Sequence, residues 1–306
     1  MFAFLGLDMY QSEQMNVVGK RSLIDLLRGF FWLCHPGPVM LNVIAVTAFA
    51  LLATRPYIYW NILLLAVSAH LAMQLSIAIF NDYCDRQRDV LSKKNKPIVR
   101  GLVSPREALV ATFLLMFIMI MLLIPLNRLA LLISLLYLAC GQSYNLGLKT
   151  TPLGGVIFAL AIPLIPAYAF VAMDRFVPWV LWQIPIAALL GLALHLANTL
   201  PDIEQDQANR VRNLVVVLGE KKAIAAISLL IFLACILIEV LAVTGLVPSQ
   251  TGLRLPTLIV VVLSVCILFI LFRSKESHQM YQIYFYLVVL TCLILASGWL
   301  ASALMV

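Results

Sequence analysis

Apolar residues in this chain run in long stretches, and short polar segments separate them. Nine such stretches lie near 35–54, 57–81, 106–125, 128–144, 152–173, 177–200, 222–245, 255–272 and 280–304. A bilayer core about 30 Å thick needs roughly 20 apolar residues per helix. The pattern therefore predicts an all-α, polytopic membrane protein with nine transmembrane helices. The fourth run is the shortest. Pro163 and Pro166 predict a bend in the fifth unless neighbouring helices cover the freed carbonyls.

Composition agrees. Of 306 residues, 63% are hydrophobic and 11% charged, and mean hydropathy is +1.02. Soluble domains carry about 45–50% apolar and about 25% charged residues, so a soluble fold, a disordered chain and a disulfide scaffold are excluded. The six cysteines form no CxxC pair and read as small buried hydrophobes. The first 30 residues lack a basic segment leading into an apolar core and a cleavage site, so no cleaved signal peptide is expected.

Charge placement orients the helices. Only Arg55, Arg128, Arg175 and Arg254 of the 21 Lys and Arg residues fall on the far side of the nine-span scheme. The rich side is expected to be cytoplasmic, with the N-terminus inside and the C-terminus outside. Residues 1–30 then form a cytoplasmic tail and 31–306 the transmembrane domain, with cytoplasmic loops over 82–105 and 201–221. The formal charge of +7 reflects this topology, and no nucleic-acid partner is expected. Of the 14 Asp and Glu residues, only Asp174 and Glu239 fall off the cytoplasmic side. Glu239 lies mid-span with no second charge predicted at its depth, and reads as a structural carboxyl.

Five of the remaining acids form two clusters. Asp82, Asp85 and Asp89 close the second span, spaced three and four apart, so a helix puts them on one face. Asp202 and Asp206 close the sixth, four apart. Solvated helix-end acids beside lysines would account for one such cluster. Two of them, on the same side and each followed by a basic segment, suit a pair of Mg²⁺ ions held against one diphosphate, because Mg²⁺ takes one or two carboxylates plus phosphate oxygens and water. Lys93, Lys94, Lys96, Arg100, Arg210 and Arg212 are placed to bind phosphate oxygens. The segments Val90–Arg100 and Gln207–Val217 echo each other, which suggests an internal pseudo-repeat. Tyr144 and Lys149 close the fourth span on the same side; alone, such a Tyr is an interface anchor.

These residues resemble the UbiA superfamily of intramembrane prenyltransferases. The family's first motif, NDxxDxxxD, is matched by Asn81, Asp82, Asp85 and Asp89. Its second, DxxxD after an Asn-bearing approach, is matched by Asn198, Asp202 and Asp206. Its Tyr–Lys element falls on Tyr144 and Lys149, and Lys96-Pro97-Ile98 through Ser104 is similar to the stretch that follows the first motif. The resemblance runs from about residue 30 onward. It departs at Lys96, where the family often has Arg, at His35-Pro36 in place of Arg-Pro, and over Arg210–Val215, where a Gly-Lys-Arg-Thr-Leu-Pro pattern is frequent.

The resemblance implies transfer of an isoprenyl group from a prenyl diphosphate to a lipophilic acceptor, with diphosphate released on the cytoplasmic face. An aromatic acceptor is expected; ether formation on a glycerol-phosphate-type lipid is the alternative. It implies Asp82, Asp85, Asp89, Asp202 and Asp206 as ligands of two Mg²⁺ ions, with Mn²⁺ able to substitute. It implies Asn81, Lys96, Arg100, Lys149, Asn198 and Arg212 as substrate contacts, and Tyr144 beside the reacting carbon. Three other classes fit less well. A CDP-alcohol phosphotransferase needs an Asp-Gly motif that the chain lacks. A transporter would place its charges at the midplane, and a lipid-binding scaffold needs no paired acidic motifs.

Overall fold

A computed structural model describes residues 21–54, 56–92, 95–175, 178–247 and 278–304, with scattered residues of 249–265. The first 20 residues, Lys93, Lys94 and more than half of the eighth predicted run lie outside the described residues. Eleven α-helices have both ends among the described residues: α1 Leu23–Leu33, α2 Pro36–Ala53, α3 Trp60–Ser92, α4 Pro105–Leu123, α5 Arg128–Asn145, α6 Leu153–Ala172, α7 Gln183–Thr199, α8 Ile203–Ala208, α9 Leu214–Leu218, α10 Glu220–Val243 and α11 His278–Leu304. Among the described residues there is no strand.

Seven segments among the described residues are long and apolar enough to cross a membrane: Pro36–Ala53, Trp60–Val90, Pro105–Leu123, Leu153–Ala172, Pro178–Ala208, Glu220–Val243 and Gln279–Trp299. They coincide with seven of the nine predicted runs. The fourth run is helical as α5, but that helix ends in Gly141-Gln142-Ser143-Tyr144-Asn145, which shortens its apolar length. Helix α6 stays unbroken through Pro163 and Pro166, both buried, where α7 packs along it. That packing supplies the cover on which the expected bend depended.

Chain contacts divide the protein into two compact units, residues 1–47 with 60–131 and residues 48–59 with 132–306. In the first unit Ser22, within the expected N-terminal tail, is the N-cap of a helix. The Ser22 hydroxyl accepts from the Asp25 amide at 3.1 Å, and the Asp25 carboxylate accepts from the Ser22 amide at 3.1 Å, a reciprocal cap for α1. Leu23, Ile24, Leu27, Phe31 and Trp32 stay exposed. Gly29 and Leu33 face inward, toward a core of Ile79, Ile98, Val103 and Ala108. A Cβ at Gly29 would lie 2.8 Å from the Val103 side chain, so only glycine allows this approach. Arg21 donates to the Leu102 carbonyl at 3.1 Å and pairs with Glu107, which ties α1 to the start of α4.

In the second unit α7 packs against α6, α10 and α11. Leu196, Leu200, Ile227, Ile231, Leu241 and Leu295 fill its core. Many outward residues, such as Leu160, Leu229 and Phe232, are exposed and apolar, as lipid-facing surfaces must be. Glu239 has a charged neighbour that the sequence did not suggest. Arg254 Nε lies 2.9 Å from its Oε1, an ion contact in which the N–H is not aimed along the line to the oxygen. Glu239 is thus a partnered carboxyl, its partner supplied by the helical residue Arg254.

Candidate active site

The first acidic cluster sits on α3. Nothing between Trp60 and Ser92 is Gly or Pro, so the helix runs 33 residues and continues through Asn81–Asp89. The predicted loop from residue 82 therefore begins as helix. Asp82, Asp85 and Asp89 share one face; Asp82 and Asp89 are buried and Asp85 is half-buried.

Asp82 is the organised member, and it is only 1% exposed. Its Oδ1 takes Lys96 Nζ at 2.6 Å, His35 Nε2 at 2.9 Å and Asn81 Nδ2 at 3.4 Å. Lys96 reaches it from the turn that follows α3, which is closed by Arg100 N donating to Lys96 O at 3.0 Å. Lys96 Nζ is also 3.4 Å from His35 Nε2. The network assigns the Nε2–H tautomer to His35, because a lone pair there would face the carboxylate at the shorter distance. Asp82 Oδ2 is buried and has no hydrogen-bond partner. Leaving a buried acceptor unsatisfied costs about 1–3 kcal/mol, more when charged.

The second cluster has a broken backbone. Pro201 follows the end of α7 and the chain passes through a 3₁₀ turn, Leu200–Asp202, into the six-residue α8. Arg210, at φ 56°, reverses the chain, with Val211 N donating to Asp206 O at 2.9 Å. Asn213 then does two jobs. Its Oδ1 accepts from Val216 N at 2.9 Å and caps α9, while its Nδ2 donates to Asp206 Oδ2 at 2.6 Å. Arg212 N donates to Thr150 O at 3.2 Å, so the Arg212 segment lies beside the 3₁₀ turn that carries Lys149. The Tyr144 ring meets Phe158 edge-on at 5.3 Å and His195 at 5.9 Å.

Not every predicted residue joins these networks. Arg100, Asn198 and Arg212 are exposed side chains. Three residues were missed. His35 was noted only as a departure from the family pattern. Asn213 stands before an apolar run, the mark of an N-cap, but its bond to Asp206 depends on the reversal at Arg210. His195 is fully buried against Tyr144, Phe158 and the glycine backbone of α6, and both its nitrogens lack a hydrogen-bond partner. A lone His seven residues before Asp202 in an apolar span was its only signal.

The donor set suits a hard divalent cation. It is made of carboxylate oxygens, one of them buried and unsatisfied at Asp82. Among the described residues no three His, Cys, Asp or Glu side chains converge as a closed cage. Mg²⁺ seldom needs one, since substrate phosphates and water complete its shell.

The profile of the UbiA prenyltransferase family matches residues 42–290. The chain belongs to this family. Among curated UbiA relatives, digeranylgeranylglyceryl phosphate synthase of Natronomonas pharaonis is 30% identical over 145 residues, covering 47% of this chain and 52% of that protein. The 4-hydroxybenzoate octaprenyltransferase of Thiobacillus denitrificans is 32% identical over 134 residues, 39% of this chain and 46% of that one. The chain thus spans about half the length of these relatives. A solved UbiA homolog from Archaeoglobus fulgidus, bound to GPP and Mg²⁺, superposes with a TM-score of 0.62 at 17% identity, over 91% of this chain and 99% of that one. At that identity the likeness carries the fold.

Proposed function

We propose that this UbiA-family protein transfers an isoprenyl group from a prenyl diphosphate to a lipophilic acceptor within the membrane. The observation that carries the reading is the buried, half-satisfied Asp82 inside a complete NDxxDxxxD motif. The GPP and Mg²⁺ bound by the Archaeoglobus homolog support it. In this reading the chain crosses the bilayer nine times, with the N-terminus and both acidic motifs on the cytoplasmic side and the C-terminus outside, a reading its Lys and Arg distribution supports.

Asp82, Asp85, Asp89, Asp202 and Asp206 hold two Mg²⁺ ions, for which Mn²⁺ substitutes. Bound there, the cations neutralise charge on the diphosphate as its allylic C–O bond breaks. Lys96, Arg100, Lys149 and Arg212 bind the diphosphate oxygens, with Asn81 and Asn198 beside them. Tyr144 offers its ring face to the allylic carbon as positive charge develops. The surrounding apolar helices exclude water, which would otherwise capture that carbon. The acceptor attacks and loses a proton.

An aromatic acceptor is the first reading, supported by the octaprenyltransferase relative. Ether formation on a glycerol-phosphate lipid is the second, supported by the Natronomonas relative. Purified protein given labelled prenyl diphosphates with each acceptor class in turn decides between them. Failure to release diphosphate with any acceptor would sink the proposal.

A further inference from the structure

Both ends of α1 are tied to the starts of membrane-spanning helices. Only Cys34 and His35 separate its last residue from Pro36, where the span of α2 begins. At its other end Arg21 donates to the Leu102 carbonyl at 3.1 Å and pairs with Glu107 in the first turn of α4. Consecutive spans alternate in direction, and α3 is the span between α2 and α4. Helices α2 and α4 therefore begin at the same bilayer surface. With 11 residues, α1 is about 16 Å long, too short for a bilayer core about 30 Å thick. Pinned at one surface by both ends, it runs along that surface.

The two faces of this helix differ sharply. Gly29 and Leu33 are buried, and Leu26 and Phe30 pack with Ile79 and Tyr83 of α3. The opposite face is apolar and uncovered among the described residues: Ile24 is 76% exposed, Leu23 71%, Leu27 62% and Phe31 57%. At 3.6 residues per turn these four side chains occupy an arc of about 100°. Arg28 and Trp32, both exposed, follow along one edge of the arc. Arg and Trp are residue types that favour headgroup level at a membrane surface. The next element in the chain carries lipid-facing residues of the same kind, since Met40, Leu41 and Ile44 of α2 are also exposed.

We propose that α1 is an in-plane membrane anchor, its outer face buried among the acyl chains of the adjoining leaflet. The occupant is lipid because both tethers hold the helix at the level where lipid surrounds the protein. Leu23, Ile24, Leu27 and Phe31 enter the leaflet, and Arg28 and Trp32 stay with the headgroups. The anchor also bears on the first acidic motif. Leu26 and Phe30 share a core with Ile79 and Tyr83, which flank Asp82 along α3, so the leaflet backs the helix that carries that motif.

The test introduces the photoreactive residue p-benzoylphenylalanine at one position at a time in the full-length protein. Each variant is reconstituted into vesicles of phosphatidylcholine and phosphatidylglycerol, illuminated, and its adducts are identified by mass spectrometry. Ile44 serves as the lipid-facing reference, and the exposed loop residue Asn209 as the water-facing one. Replacement at Leu27 or Phe31 is expected to give phospholipid adducts in a yield close to that at Ile44 and severalfold above that at Asn209. Replacement at the inward Phe30 should give cross-links within the chain instead. Yields at Leu27 and Phe31 as low as at Asn209 would put the face in water and overturn the anchor. Adducts there with a second copy of the chain, or with residues 1–20, would mean that protein covers the face, and would overturn it equally.

Discussion

The two acidic clusters carry similar residues on unlike backbones. Asp82, Asp85 and Asp89 ride an uninterrupted 33-residue helix, and Asp82 is gripped by three donors. Asp202 and Asp206 are split between a 3₁₀ turn and a six-residue helix, and the chain reverses just beyond them at Arg210. The difference traces to one residue. Pro201 lacks an amide hydrogen and cannot continue α7, whereas nothing in the first motif interrupts its helix. One cluster is therefore held by helical rigidity plus ion pairing, and the other by side-chain bonds such as that from Asn213 to Asp206. Rigid and jointed versions of one motif should respond differently to substitution.

The largest expected effect removes the cations that both clusters are proposed to serve. Chelation with EDTA should abolish prenyl transfer, and added Mg²⁺ or Mn²⁺ should restore it; turnover that survives chelation would end the common role. Next come Asp82→Asn and Asp202→Asn. Each should slow transfer by about 10²-fold or more, and the double variant should lose much less than the product of the two. Multiplicative losses would instead mean two independent sites. The two should part in stability. Asp82→Asn strands Lys96 and His35 without their carboxylate and should lower the melting temperature, while Asp202→Asn should leave it nearly unchanged.

A smaller effect probes the jointed cluster. Asn213→Ala removes the α9 cap and the bond to Asp206 together, and should cost about 1 kcal/mol of stability. Activity should fall severalfold, because Asp206 loses its anchor. Asn213→Asp keeps the cap but places a second carboxylate against Asp206, so recovered stability with still-reduced activity would separate the two roles.

The smallest effect lies at the α1 cap, away from both clusters. Hydrogen bonds from the Ser22 side chain and then its backbone hold the Asp25 carboxyl below the usual carboxylate range. A carboxyl depressed by folding stabilises above its unfolded value, near 3.9, and that stabilisation is lost as pH falls through the lower folded value. Ser22→Ala should lower the melting temperature by about 2 °C at neutral pH. The gap to the natural protein should close in the acid range. A gap that is constant with pH would show that the cap acts without the Asp25 charge.

How much of this was legible beforehand depends on the distance over which each feature is specified. The membrane-spanning helices were readable because a bilayer imposes a length and an apolarity that any single stretch must meet on its own. The shared face of Asp82, Asp85 and Asp89 was readable because helical spacing is local. The break at Pro201 was equally local, although its effect on Asp202 and Asp206 was not drawn from it. Lys96 was readable as a cation near phosphate, but not as the partner of Asp82.

By itself the sequence determined the family, the helical class and the residues that supply charge, since these follow from local composition, spacing and motif. Only the tertiary structure decided which oxygen of Asp82 is occupied, that His35 bends into a left-handed corner to reach it, that Asn213 turns back onto Asp206, and that Arg254 answers Glu239. Each of these joins residues from different helices or loops. A side-chain contact of a few ångströms depends on how whole helices pack, and no spacing along a single stretch encodes that.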